Sequence, residues 1–170
     1  MIQDPGFDLT EMNVIDRAAH VAMMSHGGDK NKHDGELYML HVHRVAYLVK
    51  QANGTDHQIA VAYLHDVVED TFVTLNDLRL LFDDSIVKSV DAITKRDGES
   101  EDQYLERVKA NRDARFVKFF GDSMDNFRRN HLITDNDKAL KFARRYFKVF
   151  SVLAFDFRGQ RSVLDRNYIG

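Results

Sequence analysis

Cysteine is absent from this 170-residue chain, which removes disulfides, thiolate nucleophiles and cysteine-ligated zinc together and fits a reducing interior. Any metal must then be held by histidine and carboxylates. Proline occurs once, at Pro5, ahead of the first periodic segment, so long helices are sterically permitted almost everywhere downstream. No apolar run approaches the roughly 18 residues that a spanning helix needs. The N-terminal MIQDPGFDLT has neither the basic flank nor the apolar core of a targeting segment. Positive charge is not in excess either: 24 Lys and Arg against 27 Asp and Glu leave a formal net charge of -3, with no global field for nucleic acid or an anionic membrane. These absences predict a cytoplasmic protein with no membrane or nucleic-acid partner. An anionic small molecule would need a local basic pocket.

With 44% hydrophobic residues, the chain is long enough to bury one ordinary core, which predicts a single domain over residues 1–170. Apolar residues recur at three- and four-residue intervals over 10–26, with Thr10 placed to cap the start. GGDKNKHDGE at 27–36 reads as a polar, exposed loop. A second periodic stretch covers about 38–51, and Ala52-Asn53-Gly54 ends it. Thr55 or Asp56 then caps a third helix running to about residue 70. Thr74 and Asp77 suit the start of a short fourth. Helical patterns follow at 86–93, about 101–110, 114–129 and 135–155, with the charged loop TKRDGESE at 94–101. No segment alternates with period two, so the expected class is all-α, a bundle of seven or eight helices.

Chemistry concentrates in AVAYLHDVVEDT, where His65-Asp66 is followed within one further turn by Glu69 and Asp70. Residues four or five apart on a helix fall within about one turn of each other, so all four can face one cavity. Three carboxylates crowded at pH 7 repel unless a cation neutralises them, which argues for a metal. As mere solvated helix-end charges, Glu69 and Asp70 would oppose the helix macrodipole.

Three blocks, KHDGELYMLHVHRVA at 32–46, AYLHDVVEDT at 62–71 and VKFFGDSMDNFR at 117–128, make the chain resemble the HD-domain phosphohydrolases. Within that family they are most similar to the small alarmone hydrolases and the hydrolase domains of enzymes related to Rel and SpoT. The resemblance spans roughly residues 12–155. It implies metal ligation by His41, His65, Asp66 and Asp122, the last followed by Asn126, with Asp125 the competing choice for the fourth ligand. It also implies that Glu69 and Asp70 position and activate the hydrolytic water. Two His and two Asp suit Mn²⁺ at least as well as Zn²⁺, and manganese is expected.

The activity implied is removal of the 3′-pyrophosphate of (p)ppGpp to give GDP or GTP, by a chain that ends at Gly170 and is expected to act as a stand-alone hydrolase. Lys32, His33, Arg44, Lys95, Arg96 and Asn126 are the candidate substrate contacts. Three departures from the family pattern matter. Lys32-His33 stands where the family has Arg-Lys, and lysine lacks the planar face with which arginine stacks on guanine. Leu37 and Val42 replace two prolines around His41. Lys118 lies four residues before Asp122 rather than three, with Phe119 in the usual place and Gly121 just before the Asp, which predicts a helix bent or slipped there. The first departure keeps open hydrolysis of another nucleotide: a nucleoside monophosphate, ppApp or a phosphorylated dinucleotide. A module that binds its nucleotide without turnover is the further alternative, though it has no need of both Glu69 and Asp70. His43, close to His41, is the remaining histidine to control for.

Overall fold

The computed structural model of the chain describes residues 9–31 and 35–154. The helices are α1 Val14–His26, α2 Tyr38–Gln51, α3 Asp56–Leu64, α4 Val67–Asp70, α5 Leu75–Arg79, α6 Asp84–Ile93, α7 Glu101–Ala110, α8 Arg112–Phe116, α9 Ser123–Arg129 and α10 Asn136–Leu153. A π-helical turn, Val117–Asp122, joins α8 to α9. With α3–α4 and α8–α9 each read as one interrupted helix, eight runs result, and the all-α expectation holds. Among the described residues no strand forms, only an isolated bridge between Lys30 and Leu37 that pins the two ends of the α1–α2 loop. No described helix is long and apolar enough to cross a membrane.

Helix starts are set by side chains that take up free backbone N–H groups. Thr55 and Gln58, Thr74 and Asp77, and Ser100 and Gln103 form reciprocal capping boxes for α3, α5 and α7. At α1 the cap is Asn13, whose Oδ1 accepts from Asp16 N at 2.9 Å. The expected cap, Thr10, lies in a preceding 3-10 turn, Leu9–Glu11, which Arg17 secures by donating to the carbonyls of Leu9, Thr10 and Met12.

Two expected helices are interrupted, both at the site. The run through residue 70 breaks at His65-Asp66, where Asp66 sits at φ −107°, ψ −2° and a new turn, α4, begins. The 114–129 segment starts earlier, at an Asn111 cap, and widens into the π turn. The last helix ends at Leu153, and Phe155 lies outside the described residues.

Helices α1, α2 and α3 pack on one another, and α2 also packs along the π turn. Val42, Val45, Ala46 and Val49 of α2 are fully or nearly fully buried between them, an apolar stripe at helical spacing. Gly121 is what lets the π turn approach: a Cβ there would stand 2.8 Å from Val45 Cγ1 and 3.0 Å from Val49 Cγ2. His41, one residue before that stripe, is thereby set against the residues at the C-terminal end of the π turn.

Candidate metal centre and active site

Four rings line one wall of the bundle: His26, Tyr38, His41 and His65, with successive centroids 4.8, 5.5 and 5.4 Å apart. The two innermost histidines are each locked in one tautomer by the partner of Nδ1. His41 Nδ1 donates to Asp125 Oδ2 at 2.8 Å, and His65 Nδ1 donates to the Ala62 carbonyl at 2.8 Å. A carboxylate and a carbonyl only accept, so Nδ1 carries a proton in both rings and Nε2 is the nitrogen that faces inward. His65 Nε2 is buried without a hydrogen bond, 2.8 Å from Asp66 Oδ2. His41 Nε2 lies 3.9 Å from Asp66 Oδ2 and 3.6 Å from Asp122 Oδ1.

His41, His65 and Asp66 each offer a ligand atom within 4.8 Å of the others. Asp122 approaches from the His41 side. Its Oδ1 accepts from Asn126 Nδ2 and its Oδ2 takes Lys118 Nζ at 2.5 Å. The π turn explains that last contact: it carries one more residue than an α-turn, which absorbs the extra position between Lys118 and Asp122. The expected bend is therefore a widened turn, and it brings both residues to one point. Three residues on, Asp125 lies behind His41, where Arg44 Nε donates to its Oδ1 at 2.8 Å. Arg44 also bonds Glu36 at 2.9 Å, and Arg129 reaches the same Glu36 oxygen at 3.0 Å.

The donor group opens into a cavity of about 650 Å³. On its floor Tyr38 donates to Asp66 Oδ2 and lies 3.5 Å from Asp70 Oδ2. Glu69 Oε2 accepts from the Lys95 backbone N–H at 2.7 Å. The cavity is also lined by Lys95, Lys118 and Arg145 and by the rings of Tyr104, Phe142 and Tyr146. Glu101 ties two of these cations together, Lys95 at 3.4 Å and Arg145 at 2.9 Å. Arg107 fixes the loop that carries Lys95, donating to the carbonyls of Asp91, Ala92 and Thr94.

The charges bias one another in opposite directions. Burial pushes the His65 pKa down, but Asp66 and then Asp122 outweigh it and lift it to about 9. Burial works against an ionised Asp66, yet His65, His41 and the Tyr38 hydroxyl hold its carboxyl well below the usual range. Burial pushes the Tyr38 phenol up, and Asp66 pushes it further. Glu69 is raised by burial, with the Lys95 amide pulling the other way. Lys118 stays firmly charged, since Asp122 overcomes its burial.

Of the residues singled out in the sequence, the structure gathers His41, His65 and Asp66, sets Asp122 beside them, and lines the same cavity with Glu69, Asp70, Lys95 and Asn126. Arg44 is turned behind His41 and does not border the cavity. Arg96 pairs with Asp91 at 3.1 Å, and His43 packs edge-on against Tyr63. Lys32 and His33 lie outside the described residues. Sequence reasoning gave no role at the site to Tyr38, Tyr104, Arg145 or Tyr146, and read Lys118 only as a displaced position before Asp122. The three-residue step from Tyr38 to His41 was the available signal for the first, since it places both on one helical face.

The sequence profile of the HD domain matches residues 18–129. Among curated proteins the chain is 30% identical over 148 residues to a guanosine-3′,5′-bis(diphosphate) 3′-pyrophosphohydrolase of Aquifex aeolicus, covering 82% of this chain and 21% of that one. It is 35% identical over 94 residues to a GTP pyrophosphokinase of Streptomyces coelicolor, 55% of this chain and 11% of the other. The chain thus spans about a tenth to a fifth of the length of these relatives. Among solved structures, a metazoan ortholog of SpoT, described as hydrolysing ppGpp and acting in starvation responses, has the same fold. It superposes with a TM-score of 0.75 at 21% identity, over 84% of this chain and 86% of that chain.

Proposed function

The chain belongs to the HD-domain family, and from that premise we propose that it is a divalent-metal phosphohydrolase removing the 3′-pyrophosphate of guanosine alarmones, (p)ppGpp, to yield GDP or GTP and pyrophosphate. One observation carries the reading: a single cavity brings the His41, His65 and Asp66 donors together with the acids Glu69 and Asp70 and the cations Lys95, Lys118 and Arg145. An anionic ester with a reactive phosphorus matches that polarity. The Aquifex aeolicus relative is named for hydrolysis of the same alarmone.

His41, His65, Asp66 and Asp122 are the proposed metal ligands. The donors fit: His65 Nε2 is buried, without a hydrogen bond among the described residues, and, with Nδ1 held by the Ala62 carbonyl, is the atom that can ligate once its proton leaves. Two imidazoles and two carboxylates make a borderline-to-hard set, and we assign Mn²⁺. A divalent cation supplies phosphate charge neutralisation and acidifies water. The protein's own groups do the rest. Glu69, held against the Lys95 amide with its pKa raised by burial, accepts the proton of the attacking water, and Asp70 orients that water. Lys95, Lys118 and Arg145 receive the phosphate oxygens, and Asn126 steadies Asp122. A cysteine-free chain working on a nucleotide suits the reducing cytoplasm.

Lys32, in the place of the family's base-stacking arginine, favours a second reading in which the same machinery acts on another nucleotide, such as ppApp. Both are tested by incubating Mn²⁺-loaded protein with ppGpp, ppApp and nucleoside monophosphates and identifying the products, with Asp66→Ala as control. Pyrophosphate release from ppGpp that Asp66→Ala abolishes is the expected result. Turnover of ppApp alone would move the assignment to the second reading, and an equally active variant would remove the site.

A further inference from the structure

His26 closes α1 at the edge of the cavity, and nothing in the chemistry above uses it. Its side chain is 1% exposed, and neither ring nitrogen has a hydrogen bond among the described residues. Asp29 Oδ2 stands 3.5 Å from Nδ1, a charge contact too long and poorly aimed for a full hydrogen bond, and the Tyr38 ring packs against the imidazole at 4.8 Å. The other buried residues of α1, Ala18, Val21 and Ala22, are apolar. An apolar ring would fill the same space at no polar cost, whereas a buried donor left unmade is costly. A polar group kept in such a position is accounted for if the cavity's occupant completes its hydrogen bonds.

We propose that His26 is a substrate-binding residue that donates a ring N–H to a nonbridging phosphate oxygen of the pyrophosphoryl group. The proposal rests on the phosphohydrolase reading and adds a neutral contact to the cavity that Lys95, Lys118 and Arg145 also line. Tyr38 is committed to Asp66 and Asp29, 59% exposed, faces only Nδ1, so Nε2, buried and unbonded among the described residues, is the ring nitrogen left to donate to the occupant. Burial keeps the imidazole pKa below its ordinary value, against the upward pull of Asp66 and Asp29. The ring is thus a neutral donor. It adds direction to phosphate recognition without adding charge to a corner that already balances acids against a cation. Lys30 and Asn31, on the adjoining loop, line the same edge.

The test is calorimetric binding of pyrophosphate to Mn²⁺-loaded wild type, His26→Phe and His26→Gln, with Mn²⁺ affinity and melting temperature measured on each. His26→Phe keeps a ring and removes the donor. It is expected to weaken pyrophosphate roughly tenfold to a hundredfold, as for loss of one hydrogen bond to a charged group, with unchanged Mn²⁺ affinity and an equal or higher melting temperature. His26→Gln, which restores an N–H, should recover part of the loss. Unchanged pyrophosphate affinity in His26→Phe overturns the proposal, as does loss of Mn²⁺ binding in that variant or failure of pyrophosphate to bind wild type. Should His26→Phe not fold, the ring ¹⁵N resonances of His26 in wild type decide: they must shift on adding pyrophosphate, and no shift overturns the contact. If wild type binds pyrophosphate through His26 yet leaves ppGpp intact, the alarmone reading falls and this subsite stands.

Discussion

His41 Nδ1 and Asp125 Oδ2 are 2.8 Å apart, with both side chains 5% exposed. The contact decides which face of the imidazole is available. With Nδ1–H committed to a buried carboxylate, Nε2 is the more basic and correctly aimed atom, as in the carboxylate–histidine pairs that support metal ligands. It also settles the geometry of the two neighbouring aspartates: Asp122 faces Nε2 and Asp125 faces Nδ1.

Asp125→Asn keeps the shape and removes the charge. We expect it to weaken divalent-metal binding by roughly tenfold to a hundredfold, the usual effect of losing such a partner. Calorimetric titration with Mn²⁺ measures this. Wild-type affinity in the variant would remove Asp125 from its supporting role.

Lys118→Met should destabilise chiefly the cation-free protein. Removing one member of a buried pair leaves the other charge uncompensated, at a cost of about 3–5 kcal/mol, and Asp122 is such a charge. Saturating Mn²⁺ should restore much of the melting temperature, because a bound cation neutralises the same carboxylate. Equal losses with and without metal would count against placing Asp122 at the cation.

Gly121→Ala sets two effects against each other. Alanine gains up to about 1 kcal/mol over glycine in a helix, but its Cβ would meet Val45 at 2.8 Å and Val49 at 3.0 Å. Valine cannot rotate freely away, and overpacking of this kind costs about 1–3 kcal/mol. The net expectation is a lower melting temperature and weaker metal binding. Adding Val45→Ala should recover part of both, and a double-mutant cycle without coupling would contradict the packing account.

Metal affinity should rise with pH. His65 Nε2 must be unprotonated to ligate, and its pKa in the cation-free protein is about 9. At neutral pH loading therefore releases close to one proton from this ring. Affinity should climb about tenfold per pH unit towards pH 9 and then flatten. Titrations in buffers of different ionisation enthalpy count the protons, and a pH-independent affinity from about 6 to 9 would take His65 out of the donor set.

The helical class was legible because period-three-and-four apolar spacing and capping residues such as Thr55 and Thr74 act locally. His65-Asp66 with Glu69 and Asp70 was legible because the residues crowd into two turns of chain. What escaped depends on contacts distant in sequence. Nothing in the spacing of Asp122 and Asp125 says which side of His41 each meets, and nothing in Arg44 says that its partner is a carboxylate 81 residues away. The amphipathic pattern of the last helix marks an inward face, but not that Phe142, Arg145 and Tyr146 leave the core there and border a cavity. The displaced Lys118 and the adjacent Gly121 did foreshadow a distorted helix, and its form, a π turn, required the backbone.

The wide turn at Val117–Asp122 means that part of this site is stored as a tally of residues rather than as their identities. Removing Phe119 or Phe120 would let the segment relax to an ordinary helix and bring Lys118 to the spacing seen in the family, with α8 and α9 keeping their relative orientation. Insertions and deletions, usually tolerated in surface loops, would here change which side chains the segment presents to the site.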